Sequence, residues 1–141
     1  KEAYATGLTG IFFPEFDRMM ETEQKNPHHC YSVGEHTLHA VRTIEPNPVL
    51  RLTMLLHDVG KPVTKTTDEY GIDHFYNHYK VGADMSKEIL KRLKFDNKTI
   101  QIVYQLISHH DIRFKGPKTN GRRHVRKVMH SIGPTLFPYL L

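Results

Sequence analysis

The sequence predicts an all-α domain, interrupted at most by one short β-hairpin. Three observations carry this. Apolar residues recur at helical spacing in several runs: Phe16, Met19 and Met20; Val81, Met85, Ile89 and Leu93; Ile100, Val103, Tyr104 and Ile107. Helix-start signals precede such runs at Pro14, in the capping box Ser32-Val-Gly-Glu35, at Asn47-Pro48 and at Asn97. Only Ile72 to Tyr76, behind the turn signal Asp68-Glu-Tyr-Gly71, reads as an extended arm.

At 141 residues the chain fits one domain with a real core. Because it starts at Lys1 and breaks off at Leu140-Leu141 within an apolar cluster, we expect a fragment of a longer protein, with 1–141 as a single domain and 115–141 as a truncated basic helical segment. A net charge of +5 favours polyanionic partners without selecting nucleic acid. The single cysteine, Cys30, excludes an internal disulfide and a cysteine-rich zinc site and suits a cytoplasmic location. No apolar run approaches the roughly 20 residues of a membrane span, and Lys1 to Gly10 lacks the core of a secretion signal.

Taken in order, Leu8, Ile11, Phe12 and Phe13 read as buried, and Pro14 opens a helix to about Glu23. Residues 26–31 are a loop by composition. The capping box starts a helix to about Ile44, whose core-side positions are His36, Ala40 and Ile44; His39 is the rival histidine. Asn47 caps a helix from Pro48 to His57, stopped by Gly60-Lys61-Pro62. The polar stretch from Val63 to Tyr79 carries Lys65, His74 and His78, and a helix follows from about Lys80 to Lys94. In the next helix, adding three and four to Ile107 reaches His110 and Asp111, so helix phase favours His110 over His109. Arg122 to Ile132 reads as a last helix with Val125, Val128, Met129 and Ile132 inward, ended by Gly133-Pro134. Phe137, Leu140 and Leu141 are expected to be exposed for want of a partner.

The chemistry concentrates in His57-Asp58, where an apolar helix ends, with Lys61 three residues on. Imidazole and carboxylate suit a divalent metal, and an ammonium suits a phosphate oxygen. Either pair also serves as ordinary helix-end decoration, Lys61 as a solvated cation at the negative end of the dipole. Further histidines and an aspartate at the ends or buried faces of other helices strengthen the metal reading. The candidates are His36, His57, Asp58, His78, His110 and Asp111, as helix bundles build metal sites from side chains on facing helices. These donors exceed one tetrahedral site and admit manganese, iron, cobalt, nickel, zinc or magnesium, as one octahedral ion or a pair. Between Lys115 and Lys127 stand six basic residues and no acidic one: Lys115, Lys118, Arg122, Arg123, Arg126 and Lys127. They form either a solvated face or an RNA-backbone contact.

The order His36, His57-Asp58, Asp111 resembles the pattern of the HD superfamily of metal-dependent phosphohydrolases. Asn26-Pro-His-His-Cys-Tyr-Ser-Val-Gly-Glu-His-Thr-Leu38, Leu55-Leu-His-Asp-Val-Gly-Lys-Pro62, His74-Phe-Tyr-Asn-His78 with Val81-Gly-Ala83, and Arg92-Leu-Lys-Phe-Asp-Asn97 are similar to the HD region of bacterial CCA-adding tRNA nucleotidyltransferases. The resemblance implies an HD helical bundle in which His36, His57, Asp58 and Asp111 ligate a metal, with His78 and His110 matching the second-site histidines of binuclear relatives. It also implies hydrolysis of nucleotide or RNA-terminal phosphoesters; from the residues themselves, Asp58 and Lys61 are expected as catalytic residues, and Lys61, Arg122, Arg123 and Arg126 are expected toward phosphate or RNA. The rival expectation is a non-catalytic tRNA-binding module. No Gly-Ser dipeptide of the family's polymerising head occurs in the chain, so nucleotide addition is not expected from it.

Overall fold

Pro14, placed where a helix has no use for its first amide hydrogen, opens α3 (Pro14–Glu21), which buries Phe16 and Met19. The computed structural model describes residues 1–25, 31–111 and 118–140, and for 118–124 the backbone alone. Two one-turn helices, α1 (Glu2–Ala5) and α2 (Thr9–Phe12), precede α3. There the sequence reading needs correction: Phe13 is buried, but Leu8, Ile11 and Phe12 are exposed, because the residue that α2 turns inward is Thr9.

The next helices begin on side-chain caps. Ser32 and Glu35 form the reciprocal capping box of α4 (Val33–Thr43). Asn47 accepts from the amides of Val49 and Leu50 to start α5 (Pro48–Leu56). After a tight turn come α6 (Lys61–Thr64) and an antiparallel hairpin, β1 (Lys65–Thr67) and β2 (Asp73–Phe75), in register Lys65 with Phe75 and Thr67 with Asp73. The hairpin runs into α7 (His78–Arg92), so His78 is the first residue of that helix and not one that precedes it. In α8 (Asn97–His109) the cap is Asp96, which accepts from the Thr99 amide; Asn97 is the first helical residue, the carboxylate one position earlier having taken the role expected of it. The last helix, α9 (Lys118–Ile132), starts four residues earlier than Arg122, and a 3-10 turn spans Phe137–Leu140.

The helices α7 and α8 pack lengthwise, α5 lies against α4 and α8, and α3 against α4. Their shared core holds Met19, Val33, Leu56, Val59, Leu90, Val103 and Ile107, each at most 1 % exposed. Burying such an aliphatic side chain stabilises by about 1.5 to 3 kcal/mol. A two-pronged ion pair from Arg92 to Glu15, at 2.9 and 2.7 Å, ties α7 back to α3. Val128, Ile132 and Phe137 make a small separate cluster, so Phe137 is buried and not exposed: the 3-10 turn folds it onto α9. Met129 is exposed, since the buried stripe of α9 runs through its neighbours one position before and three after. No helix of the described residues is long and apolar enough to cross a membrane.

Candidate metal centre

The end of α5 is where the core becomes polar. Leu56 and Val59 are fully packed, and the chain between them delivers His57 and Asp58, 6 % and 2 % exposed, to the wall of a cavity of about 610 Å³. Gly60 makes this placement possible. A Cβ there would meet the His78 carbonyl oxygen and lie 2.7 Å from the Gly82 nitrogen, so the turn after Asp58 and the first turn of α7 touch backbone to backbone. The contact brings His78 beside Asp58.

Each of three imidazoles is set by the same device. Nδ1 of His57 lies 2.6 Å from the Met54 carbonyl, Nδ1 of His78 2.9 Å from that of Phe75, and Nδ1 of His110 2.7 Å from that of Ile107. A carbonyl only accepts, so each Nδ1 carries the hydrogen and, in the neutral ring, Nε2 presents a lone pair. These lone pairs converge on Asp58. Nε2 of His57 is 3.1 Å from Asp58 Oδ2, and Nε2 of His78 and His110 are 3.5 and 3.8 Å from Oδ1 and 3.2 Å from each other. Acceptor facing acceptor at such distances is repulsive unless a cation or an added proton lies between. Nδ1 held by a backbone carbonyl is also the support that metal-ligating histidines show.

Two donor groups result, each with its atoms within 4.8 Å of one another: His36, His57 and Asp58, and Asp58, His78 and His110. Asp58 is common to both. Its Oδ2 accepts no well-formed hydrogen bond, although Lys61 Nζ is 2.8 Å away. With Lys61 as an ion-pair partner of imperfect hydrogen-bond geometry, the buried carboxylate keeps lone pairs that a further cation would satisfy. Burial pushes the Asp58 carboxyl up, but His57 and Lys61 outweigh it and hold it well below the usual carboxylate range. Burial pushes the His110 imidazole below its ordinary value, against the opposing pull of the Ile107 carbonyl. Donor set and geometry therefore fit a divalent cation.

The remaining candidates lie as follows. His36 is half-buried on α4, its ring centroid 5.9 Å from that of His57, whereas His39 is exposed. His109 points to α9, its Nε2 3.2 Å from Ser131 Oγ, so His110 is the one that joins the cluster. Asp111 lines the cavity, one residue past the C-cap of α8, but belongs to neither donor group. Lys61 opens α6 and spends its ammonium on Asp58 and on Gln24 Oε1 at 2.9 Å. Arg126 is exposed on α9, and the side chains of Arg122 and Arg123 lie outside the described residues.

Sequence reasoning passed over Gln24, which is 6 % exposed and sits in a stretch without periodicity that offers no signal. It passed over Asp73 also. That carboxylate accepts from Thr67 Oγ1 at 2.8 Å and the Lys25 amide at 2.7 Å and pairs with Lys65 at 2.8 Å, stapling the hairpin to the segment that carries Gln24. Period-two alternation along Ile72 to Tyr76 was the available clue. The rest of the cavity wall is His74, Phe75, Tyr76, Asn77 and Tyr79.

The fold and the cluster define a class: a helical domain in which histidines and an aspartate from separate helices share one cavity wall. Residues 28–132 match the HD domain family, and the chain belongs to it. It is 32 % identical over 128 residues to the A-adding tRNA nucleotidyltransferase of Deinococcus radiodurans, covering 87 % of this chain and 30 % of the relative. It is 36 % identical over 110 residues to the CC-adding tRNA nucleotidyltransferase of Thermus thermophilus, covering 74 % and 25 %. With a bifunctional uridylyltransferase/uridylyl-removing enzyme of Phenylobacterium zucineum it shares 31 % over 126 residues, covering 74 % and 12 %. The chain thus spans less than a third of the length of these curated relatives. No solved structure matches it.

Proposed function

We propose that this domain is a divalent-metal-dependent phosphohydrolase acting on nucleotide or RNA-terminal phosphoesters. The observation that carries the reading is the convergence of three Nδ1-anchored imidazoles on a buried carboxylate whose Oδ2 lacks a well-formed hydrogen bond. His36, His57, Asp58, His78 and His110 would hold the metal, with Asp111 available from the cavity edge. The chemistry a divalent cation supplies when bound is acidification of water and polarisation of a phosphoryl oxygen. The protein's own part is positioning. Asp58 orients what binds between the two donor groups. Lys61, fixed by Asp58 and Gln24, keeps a third N–H for a non-bridging phosphate oxygen. Phe75, with Lys61 Nζ 5.4 Å from its ring centroid, limits solvent around that ammonium. The names of the relatives, which concern tRNA and uridylyl groups, support a nucleotide-type substrate.

The test is hydrolysis of 2′,3′-cyclic AMP and of a simple phosphomonoester with manganese, cobalt, nickel or magnesium. Metal-dependent turnover is expected in the intact chain. Asp58→Asn should lower it roughly 100-fold or more, beyond the loss typical for an outer supporting group, with an unchanged circular dichroism spectrum. Absence of turnover with every metal from a folded protein would refute the proposal. A second reading, tRNA backbone binding, is favoured by Arg126 and Lys127, both exposed on the basic helix α9. It predicts that neutralising Arg122, Arg123 and Arg126 flattens the salt dependence of tRNA affinity by about one logarithmic unit per lost contact.

A further inference from the structure

We propose that the hairpin wall of the cavity is a nucleobase platform, with the Tyr76 ring as its stacking surface and the specificity-determining residue for substrate; this rests on the phosphohydrolase reading above. His74 and Tyr76 stand two residues apart, so an extended chain puts them on one side. Their rings stack, with centroids 5.3 Å apart and planes 6° from parallel. His74 is itself pinned, its Nε2 2.8 Å from Asp68 Oδ2, and Asp68 in turn accepts from the amides of Tyr70 and Ile72. Tyr76 is therefore backed by a fixed ring, yet it is 69 % exposed while lining the cavity. An aromatic face held in place without contributing to a core is pre-ordered for a flat ligand, which then loses little entropy on either side.

The other aromatic rings of this wall are already engaged. Phe75 carries the Lys61 ammonium, and Tyr79 stands edge-on to His78 at 6.1 Å and beneath Lys80. Next to Tyr76, Asn77 adopts a left-handed backbone (φ 59°) that asparagine tolerates, and its side chain makes no capping bond to α7. It borders the cavity with both a donor and an acceptor, the pair that a base edge requires. Along the chain, Tyr76 is two residues from His78, so their Cα atoms are at most about 7 Å apart. A base on Tyr76 thus has its phosphate within range of the donor cluster, in a cavity of about 610 Å³. Stacking tolerates any base, so the platform discriminates a nucleotide from a base-less phosphate and not one base from another.

The experiment is calorimetric titration of the manganese-loaded chain with adenosine 5′-monophosphate, ribose 5-phosphate and a short oligoadenylate, with phosphate release followed in the same samples. Adenosine monophosphate should bind roughly tenfold or more tighter than ribose 5-phosphate. In Tyr76→Ala that ratio should collapse to about one, and in Tyr76→Phe it should persist, because stacking needs the ring and not the hydroxyl. A Tyr76-dependent gain with the oligonucleotide and not the mononucleotide would assign the base to a strand end. A ratio near one in the unaltered chain together with no Tyr76-dependent gain for the oligoadenylate, or a ratio that survives Tyr76→Ala, overturns the platform and leaves the phosphohydrolase reading standing. Failure of every phosphate to bind overturns that reading, and the platform with it.

Discussion

The cavity has two walls built on different physics. One consists of the ends of α5 and α8 and the start of α7, and its histidines are fixed by carbonyls three residues earlier, those of Met54 and Ile107 on helices that the apolar core holds and that of Phe75 where β2 runs into α7. The other is the hairpin, whose side chains are held by carboxylates: Asp73 on Lys65, Thr67 and Lys25, and Asp68 on His74. Packing fixes a donor atom to a fraction of an ångström, as a shared metal site requires. Polar staples on a two-stranded arm fix it less tightly, since an isolated hairpin is marginal in water. The helical wall is thus suited to chemistry and the hairpin wall to recognition of whatever adjoins the phosphate.

The largest effect should come from prising the turn after Asp58 away from α7 at Gly60, within the helical wall. Its backbone conformation is ordinary, so the only objection to a side chain is the collision with His78 and Gly82. Gly60→Ala is expected to cost about 3 kcal/mol or more, as backbone cannot yield as a flexible side chain does. For a chain of this size that is a fall in Tm of about 10 °C. A thermal melt within about 2 °C of the unaltered protein would mean that the turn after Asp58 and α7 are not in the contact described.

Next in size is the response to metal. Manganese at about 100 times its dissociation constant should add about 2.7 kcal/mol to stability and a chelator should remove it. His78→Ala and His110→Ala should each shrink the shift, while Asp73→Asn, on the hairpin wall, should leave it intact. Equal loss from Asp73→Asn would show that the two walls act as one unit and that the division drawn here is wrong.

How much of this was legible in the sequence follows the same division. Helix starts at Pro14, Ser32 and Asn47, and the pairing of His57 with Asp58, are local or periodic signals, and the helices stand where those signals put them. The preference for His110 over His109 came from helix phase, and the structure places His110 in the cluster. The same phase argument reached Asp111, which lines the cavity one residue past the cap of α8. Burial at Leu8, Ile11 and Phe12 was misread since apolar character does not say whether a neighbour arrives to cover it. Gln24 and the partners of Asp73 were hidden for a related reason: their roles depend on a contact between residues 25 and 73, 48 positions apart, and no local pattern announces such a pair. The Gly60–Gly82 approach is of that kind too, although two glycines beside a dyad and on a helix hinted at it.

The smallest effect isolates the hairpin. Burial pushes the Asp73 carboxyl up, but Lys65, the Lys25 amide and Thr67 together hold it at about 2, against an ordinary 3.8. The folded protein therefore binds this proton less readily than the unfolded chain. The staple's contribution is complete above the unfolded value and is lost as pH falls through the folded one, from about pH 4 to about pH 2. The pKa difference corresponds to about 1 to 2 kcal/mol, toward the lower end because the arm is a thin layer next to solvent. Asp73→Asn should be less stable by about that amount at pH 7, and the gap to the unaltered protein should close as both are taken from about pH 4 to pH 2 in urea titrations. A gap that stays constant with pH would mean that the hairpin is held by its shape and not by this charge. The hairpin wall would then be as rigid as the helical one, and the argument that a polar arm serves recognition would lose its physical basis.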